Sequence, residues 1–242
     1  MSNSYLLPTA PTMEQVRSVA PALEKYTQGP LFSDVWKRPG LSPRDRSIAT
    51  VTALTVHNHI MAMPFHFNLA LDNGVKPGEV SEIITHLAFY AGWPNAMSAV
   101  SVVKDIFAQR GVGIDQLPTA SPELVPISEA VPDEHIRVDF FTQNNLASAS
   151  EALVKYTDDL LYHEVWLRPG LAPRDRDLVT VSSLIAAGST QFLPFYLNRA
   201  IIHGLTKTQI SELLAHLAFY GGWSNAISAA LVVKEIFANP PK

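Results

Sequence analysis

The chain has 242 residues, of which 47% are hydrophobic and 17% charged, and its formal net charge is −4. This composition is that of an ordinary globular protein with enough apolar residues for a sizeable core. The small negative charge gives no electrostatic reason to expect nucleic acid or an anionic membrane as a partner. Cysteine is absent, which excludes disulfides, thiolate metal sites and cysteine redox chemistry.

The sequence has no segment typical of a membrane span or a secretion signal. No apolar run reaches the roughly 18 residues that a spanning helix needs. Residues 1–14 lack a basic region followed by an apolar one. We therefore expect a cytoplasmic protein.

The first forty residues predict short helices that are separated by proline. An apolar stripe over residues 11–27 is interrupted by Pro21, where we expect a break or kink. A short helix over residues 31–36 must stop at Arg38-Pro39-Gly40. The pair Ser42-Pro43 then predicts the N-cap and first position of a longer helix.

Proline and glycine continue to mark the helix boundaries after residue 60. Pro64 predicts a fresh helix start and Gly74 a left-handed cap. The next helix begins near Pro77, and the last one starts at Gly92-Trp93 and runs to about Gln109. No segment alternates like a strand, so we predict an all-α fold.

The second half of the chain repeats the first. Lys25–Gln109 and Lys155–Asn239 align without a gap at an offset of 130 residues, and roughly half of the positions are identical. A repeat of this length is a duplicated domain and not a solenoid unit. We assign residues 1–112 to the first copy, 113–138 to a proline-rich linker and 139–242 to the second copy. Each copy is predicted to be a bundle of about five or six helices.

One helix junction is nearly identical in the two copies. Residues His86–Ala99 read HLAFYAGWPNAMSA, and His216–Ala229 read HLAFYGGWSNAISA. The pattern predicts that Tyr90 and Trp93 are packed at a corner between two helices. Such a corner can serve the core, which we favour, or support a substrate.

The first copy carries three histidines that the second lacks. His57, His59 and His66 align with Ala187, Ser189 and Tyr196. His66 follows Pro64 in a first helical turn, where free amide groups favour a neutral imidazole or a bound anion. An unperturbed pKa of about 6.5 suits proton transfer near neutrality. A catalytic role and a hydrogen-bonded packing role both remain open.

The histidine spacing is poor for a metal site. Alternate residues on a helix point about 200° apart, so His57 and His59 could share an ion only in irregular backbone. No carboxylate is placed to complete the ligand set with His66. We therefore expect neither a metal nor another cofactor.

A polar stripe runs along the helix before the shared junction. Glu82, His86 and Tyr90 recur every four residues and so share one helix face. The second copy repeats the stripe as Glu212, His216 and Tyr220. A carboxylate one turn before an imidazole can orient it for acid–base work. Because both copies keep the stripe, we favour hydrogen bonding between helices.

Paired arginines follow the shared RPGL motif in each copy. They are Arg44 and Arg46 in the first copy and Arg174 and Arg176 in the second. Such arginines can bind a substrate carboxylate through the guanidinium fork, or they can pair with Asp45 or Asp175. Both interpretations remain open.

Taken together, these motifs resemble the carboxymuconolactone decarboxylase family, whose superfamily includes alkylhydroperoxidase-D-like proteins. The matching residues are PGL and PRDR within 39–46, Pro64-Phe65-His66, Gly74 and EIITHLAFYAGWPNA at 82–96. The resemblance covers both copies. It implies an all-helical fold that assembles into rings, with pockets near subunit interfaces. Single-copy decarboxylases of the family form hexamers, so this resemblance implies a homotrimer for a tandem chain.

The chain also departs from the family pattern. The peroxidase branch uses Cys-x-x-Cys followed by a helical histidine, which His66 matches, but His59 and Ala62 stand at the cysteine positions. A thiol peroxidase is therefore excluded. Tyr196 replaces the histidine in the second copy, which then serves as a scaffold or completes the active pocket across an interface.

The resemblance implies a cofactor-independent lyase that decarboxylates a small cyclic carboxylate or lactone. For such a reaction we assign proton delivery to His66 and substrate binding to Arg46 and the first-turn amides near His66, and His59 is a candidate oxyanion donor. The candidates for substrate binding are Arg46, His57, Tyr90, Trp93 and Tyr196, with Glu82 and His86 in support. Two alternatives remain: an isomerase or dehydratase acting on a cyclic enone or lactone, and a non-catalytic ligand-binding or assembly protein.

Overall fold

Helices make up the regular structure of residues 10–238, the part of the chain that the computed structural model describes. No strand occurs within that range, so the all-α prediction is confirmed. The outer ends of the two predicted domains, residues 1–9 and 239–242, lie outside the described residues. No helix between residues 10 and 238 has the length and apolarity needed to cross a membrane.

The first copy contains six α-helices. They are α1 (Met13–Val19), α2 (Pro21–Tyr26), α3 (Pro43–Val56), α4 (Met63–Asp72), α5 (Pro77–Tyr90) and α6 (Trp93–Arg110). Between α2 and α3 the chain forms a π-helical segment, Thr27–Asp34, and a 3₁₀ turn, Val35–Lys37.

The second copy repeats this order after a linker that has helices of its own. The linker region holds a 3₁₀ turn, Ile114–Gln116, then α7 (Ile127–Ala130) and α8 (Glu134–Gln143), and a further 3₁₀ turn, Leu146–Ser148. The second copy has α9 (Glu151–Tyr156), α10 (Pro173–Ala187), α11 (Leu193–Ile202), α12 (Lys207–Gly221) and α13 (Trp223–Ala238). Its irregular helical turns are Thr157–Tyr162, Val165–Leu167 and Thr190–Phe192.

Capping residues set the helix ends as the sequence predicts. The Ser42 hydroxyl accepts a hydrogen bond from the Asp45 amide at 3.0 Å, which caps α3. The stripe predicted over residues 11–27 is broken before Pro21, because α1 ends at Val19. Gly74 has a φ of 92°, the left-handed conformation predicted for it.

The linker is more ordered than the sequence indicates. We expected helical patterning to resume near Asp139, but α8 already begins at Glu134. The Val125 amide donates to the carbonyl of Leu167 at 2.9 Å, and Ala130 and Val131 are buried in the core. The linker therefore packs on the second copy. Its four prolines conceal this order, because they interrupt any regular helical spacing.

The two copies share one core and do not form separate bundles. Helices α3 and α10 lie against each other at its centre. Helix α12 of the second copy packs on α3 of the first, and α5 of the first copy packs on α10 of the second. Each copy thus contributes one helix, α5 or α12, that packs against the central helix of the other copy.

Reciprocal ion pairs join the two copies across this contact. Arg44 Nη2 lies 2.7 Å from Asp175 Oδ2, and Arg174 Nη2 lies 2.7 Å from Asp45 Oδ2. Of the two roles left open for the arginines, Arg44 and Arg174 therefore have the ion-pair role. These contacts sit half-buried, where charges are screened less than on an open surface.

Candidate functional site

His66 lies buried at the end of the first turn of α4, in an aromatic pocket. Its ring stacks on Trp36 with 6.1 Å between centroids and meets Tyr220 edge-on at 5.3 Å. Phe65 covers another edge at 4.9 Å. Nδ1 of His66 is buried and has no hydrogen-bond partner among residues 10–238. An unsatisfied buried nitrogen of this kind is costly unless a ligand or water completes it.

The second copy supplies one wall of this pocket through α12. The Trp36 indole N–H donates to the Tyr220 hydroxyl at 2.8 Å. Thr50 donates its hydroxyl hydrogen to the carbonyl of Arg46, so it must accept from Nε2 of His216, 2.7 Å away. The neutral His216 ring therefore carries its proton on Nε2.

An arginine pair binds Glu212, which lies one helical turn before His216 on α12. Nη2 of the fully buried Arg46 lies 3.1 Å from Glu212 Oε2, and Nη2 of Arg38 lies 2.7 Å from Glu212 Oε1. Nε and Nη1 of Arg46 have no hydrogen-bond partner within the described chain. Two guanidinium groups against one carboxylate leave a formal charge of +1, which favours an anionic ligand.

In each copy a glycine permits the carboxylate side chain of the other copy to lie close to the backbone. A Cβ atom at Gly40 would stand 2.6 Å from Cγ of Glu212, and one at Gly170 would stand 2.8 Å from Cγ of Glu82. Both distances are too short for a real Cβ contact. The shared RPGL motif therefore includes glycine because the other copy's carboxylate lies against it.

Burial keeps both imidazoles of the pocket neutral. It lowers the pKa of His66 to about 4. Burial, followed by the charge of Arg46 and the neighbouring His66, lowers the pKa of His216 to about 3. The sequence led us to expect that His66 titrates near neutrality. The free ring does not, because burial has removed its hydration. Burial also raises the pKa of Tyr220, so its phenol keeps its proton.

The second copy contains a matching site whose wall comes from the first copy. The Trp166 indole donates to the Tyr90 hydroxyl at 2.9 Å, and His86 Nε2 lies 2.8 Å from the Thr180 hydroxyl. Glu82 is bound by Arg168 and Arg176 in the same way that Glu212 is bound by Arg38 and Arg46. The list of equivalent pairs is Trp36 and Trp166, Thr50 and Thr180, Glu212 and Glu82, His216 and His86, Tyr220 and Tyr90.

Tyrosines fill the second site where the first has His66. The Tyr196 hydroxyl lies 3.1 Å from that of Tyr90 and 2.9 Å from that of Tyr162. The guanidinium of Arg199 lies 4.0 Å from the centroid of the Trp166 ring. Nε of Arg199 also bonds Asp177 Oδ1 at 3.2 Å. The tyrosine hydroxyls of this site are paired with one another, whereas Nη1 and Nη2 of Arg199 have no hydrogen-bond partner within the described chain.

The sequence profile of the carboxymuconolactone decarboxylase family matches residues 21–105 and 151–235, once in each copy. The chain belongs to the carboxymuconolactone decarboxylase family. Each site is built from residues of both matches, because α12 of the second copy completes the first site and α5 of the first copy completes the second.

Part of the sequence of this family member is similar to two curated relatives. It is 29% identical to 4-carboxymuconolactone decarboxylase of Acinetobacter baylyi over 86 residues, 36% of this chain and 64% of the relative. It is 33% identical to nitrosuccinic acid decarboxylase npaB of Metarhizium robertsii over 73 residues, 30% of this chain and 51% of the relative. The chain therefore spans between half and two thirds of the length of these relatives.

The structure separates the candidate residues of this family member into different places. His66 and Arg46 lie together at the first site. Tyr90, Tyr196, Glu82 and His86 lie together at the second site. The structure does not bring Tyr90, Glu82 or His86 to His66, because α5 crosses to α10. Their counterparts Tyr220, Glu212 and His216 stand there instead.

The three remaining candidates, His57, His59 and Trp93, lie outside both aromatic clusters. His57 and His59 stack on each other at 5.3 Å, with His59 exposed and Asn58 between them in the left-handed region. Burial, followed by the charge of His59, lowers the pKa of His57. Within residues 10–238, no group of three or more histidine or carboxylate side chains is arranged to hold a metal.

The prediction that Trp93 is packed at the helix corner was wrong. Its side chain is 59% exposed and lies edge-on to Phe89. Gly92, with a φ of 89°, turns the chain so that α6 faces the core with Ala96 and Ala99 and directs Trp93 outward.

Several residues of the first site were not predicted from the sequence. They are Trp36, Arg38, Thr50, Glu212, His216 and Tyr220. A signal for them was present, because their counterparts in the other copy have the same identity. Identity between the copies shows that a residue is needed, but not which copy it serves.

Proposed function

We propose that this protein is a lyase that decarboxylates a small cyclic carboxylate or lactone at the His66 site. One observation carries the proposal: Nδ1 of His66 is buried beside the Tyr220 phenol and has no hydrogen-bond partner among residues 10–238. The arrangement provides a proton-transfer group next to a hydrogen-bond donor, and aromatic side chains pack around the buried imidazole. Two relatives of the chain bear the names of decarboxylases, which supports the same class of reaction.

The charge of the pocket supports an anionic substrate. Arg46 is fully buried, and its Nε and Nη1 have no hydrogen-bond partner in the described part of the chain, while the charges of Arg38 and Glu212 offset each other. A buried cation with free N–H groups binds a carboxylate strongly and fixes its orientation. We assign carboxylate binding to Arg46. His59 keeps a proposed oxyanion role only if a substrate extends to its exposed ring.

The chemistry needs no group beyond the side chains of the pocket. When the bond to the carboxylate carbon breaks, carbon dioxide leaves and the electron pair passes into the conjugated carbonyl. The Tyr220 hydroxyl accepts from Trp36 and so has its own hydrogen free to donate to the resulting oxyanion. His66 then gives a proton to the carbon, which completes the product.

His66 needs to gain that proton before it can deliver it. In the free protein its pKa is about 4, because the buried ring is not hydrated. A substrate carboxylate beside the ring favours the imidazolium form and so raises this pKa. The proton therefore enters together with the substrate, and the reaction consumes one proton for each carbon dioxide released.

A panel of lactone acids, assayed for carbon dioxide, tests this proposal. We expect turnover of at least one member, and we expect Tyr220→Phe to lower kcat by about 10²-fold. Tyr90→Phe, the same change at the second site, serves as the matched control and leaves kcat within a few-fold. Isomerisation or dehydration of panel members without carbon dioxide release would contradict decarboxylation. Equal loss in the two variants would contradict the assignment to the His66 site.

A further inference from the structure

A separate cavity lies in the second copy, between the linker helix α8 and helix α11. Its volume is about 530 Å³, within the range of pockets that hold small molecules. Its apolar walls are formed by Ile136, Phe140, Leu153, Leu161, Phe192 and Phe195. The linker thus does more than connect the copies, because it provides one wall of this cavity.

This cavity is distinct from the His66 pocket. Tyr162 and Tyr196 line the cavity, and their hydroxyls bond each other at 2.9 Å. The ring neighbours of His66, namely Trp36, Phe65 and Tyr220, are not among the lining residues. The first copy has a more open surface at the equivalent place, since Phe65 is 55% exposed whereas Phe195 is half-buried.

The charges around the cavity are balanced. Arg137 Nη1 lies 2.9 Å from Asp158 Oδ1, and its Nη2 lies 3.3 Å from Glu134 Oε1. Arg199 lies 3.2 Å from Asp177 and 3.6 Å from Asp133. Because each cation already has acidic partners, an anionic ligand gains little here, and the apolar walls favour a neutral one.

Three polar atoms of the lining residues have no hydrogen-bond partner within the described chain. Nε of Arg137 is a buried donor, and Oδ1 of Asn198 and Oδ1 of Asp133 are buried acceptors, although the Asp133 oxygen has Arg199 Nη1 3.6 Å away. A hydroxyl group can accept from Arg137 or donate to Asn198. Burial without a partner is unfavourable for these atoms, so a ligand that satisfies one of them gains affinity.

We propose that this cavity binds a neutral aromatic alcohol, a compound of the phenol class. The ring fills the space between the apolar side chains of α8 and α11, and the hydroxyl meets Arg137 or Asn198. The site is independent of the proposed decarboxylation, because it shares no side chain with the His66 pocket.

Titration of the intact protein with 2-naphthol, followed by calorimetry, tests this proposal. We expect saturable binding at one site. Ile136→Trp places a bulky ring in the cavity from a partly exposed position on α8, and it should abolish binding. Val138→Trp, on the same helix but outside the cavity lining, is the matched control and should bind as the unmodified protein does. His66→Gln should also bind normally.

Naphthalene, which has the ring but no hydroxyl, tests the polar part. Asn198→Leu should weaken 2-naphthol binding by about 3- to 10-fold and leave naphthalene binding unchanged. Absence of saturable 2-naphthol binding would overturn the proposal. So would binding that survives Ile136→Trp but is lost in His66→Gln. An equal effect of Asn198→Leu on both compounds would overturn the assignment of the hydroxyl.

Discussion

His66 and Tyr196 occupy equivalent positions, but their polar atoms are in opposite situations. Nδ1 of the histidine has no partner within residues 10–238, whereas the tyrosine hydroxyl bonds both Tyr90 and Tyr162. Burial raises the pKa of Tyr196 well above its usual value, so the phenol does not ionise near neutrality. The histidine is therefore the group of the two that is suited to exchange a proton with a substrate.

We predict that His66→Gln lowers kcat by about 10²-fold, because glutamine keeps some hydrogen bonding but cannot carry a proton. Tyr196→Phe is the matched change in the second copy and should alter kcat by less than a few-fold. The measurement is kcat for the two variants at unchanged melting temperature. Near-normal turnover of His66→Gln would show that the histidine is structural.

The pKa of His66 also predicts the pH dependence. If the imidazolium form binds substrate productively, the free protein holds less of it as pH rises above about 4. We therefore expect kcat/KM to fall roughly tenfold for each pH unit between about pH 5 and about pH 7. This slope should disappear in His66→Gln. A flat profile in the unmodified protein would assign activity to the neutral ring and remove proton delivery from His66.

At the scale of elements, the exchanged helices place a carboxylate in the core. Glu82 on α5 is 1% exposed and bonds both Arg168 and Arg176 of the second copy. Although burial raises its pKa, the hydrogen bonds from the two arginines outweigh this effect and lower it. The stabilisation is thus present above the ordinary pKa of a glutamate and is lost as pH falls below it.

We predict that Glu82→Gln lowers the free energy of unfolding by about 3–5 kcal/mol, because it leaves two arginines without their shared carboxylate. Glu79→Gln on the same helix is the control. Glu79 pairs with Arg44 in a more exposed position, 2.9 Å away, so its loss should cost at most about 1 kcal/mol. Urea unfolding of both variants measures the difference. Equal destabilisation would contradict the special role of the buried pair.

The helices were more predictable from the sequence than their partners. The end of α1 before Pro21, the cap at Ser42 and the left-handed Gly74 follow from local backbone chemistry, which acts within a few residues. Periodicity also shows that Glu82 and Tyr90 share a face. It cannot show that this face meets the other copy, because that depends on tertiary packing.

Site residues could be predicted at positions where the two copies have different residues, but not at positions where the residues are identical. The change from His66 to Tyr196 stands out in the aligned sequence and marks the two pockets. Trp36 is identical in the other copy, and an identical residue gives no indication of which pocket it lines. The exposure of Trp93 could not be predicted either, since it depends on the angle at which α6 leaves Gly92.

At the scale of the whole molecule, α6 and α13 each present an apolar face that no other described residue covers. Helix α6 exposes Trp93, Met97 and Val100, and α13 exposes Trp223, Ile227 and Leu231. Exposed apolar side chains grouped in this way mark sites of association. Because the two faces are equivalent, a face on one chain can pair with the other face on a neighbour, and repetition of this contact closes a ring.

We predict a homotrimer, with a dimer as the alternative. Sedimentation equilibrium at micromolar concentration measures the mass. The double variant Trp93→Lys with Met97→Lys should dissociate the assembly, because it places charges in the apolar face. Ile114→Lys, at an exposed position outside these helices, should leave it intact. A stable monomer of the unmodified protein would contradict the prediction.

Helices α5 and α12 each pack against the opposite copy, and this arrangement limits how the gene can change. In an assembly of identical single-copy subunits, any mutation appears in every pocket at once. Here the codons for His66 and Tyr196 are separate, so the second pocket can have a tyrosine at this position while the first keeps its histidine. Yet neither half is free to be deleted. The first pocket takes Glu212, His216 and Tyr220 from the second half, and the second pocket takes their counterparts from the first half. Joining the copies therefore permits divergence and makes the diverged copy indispensable.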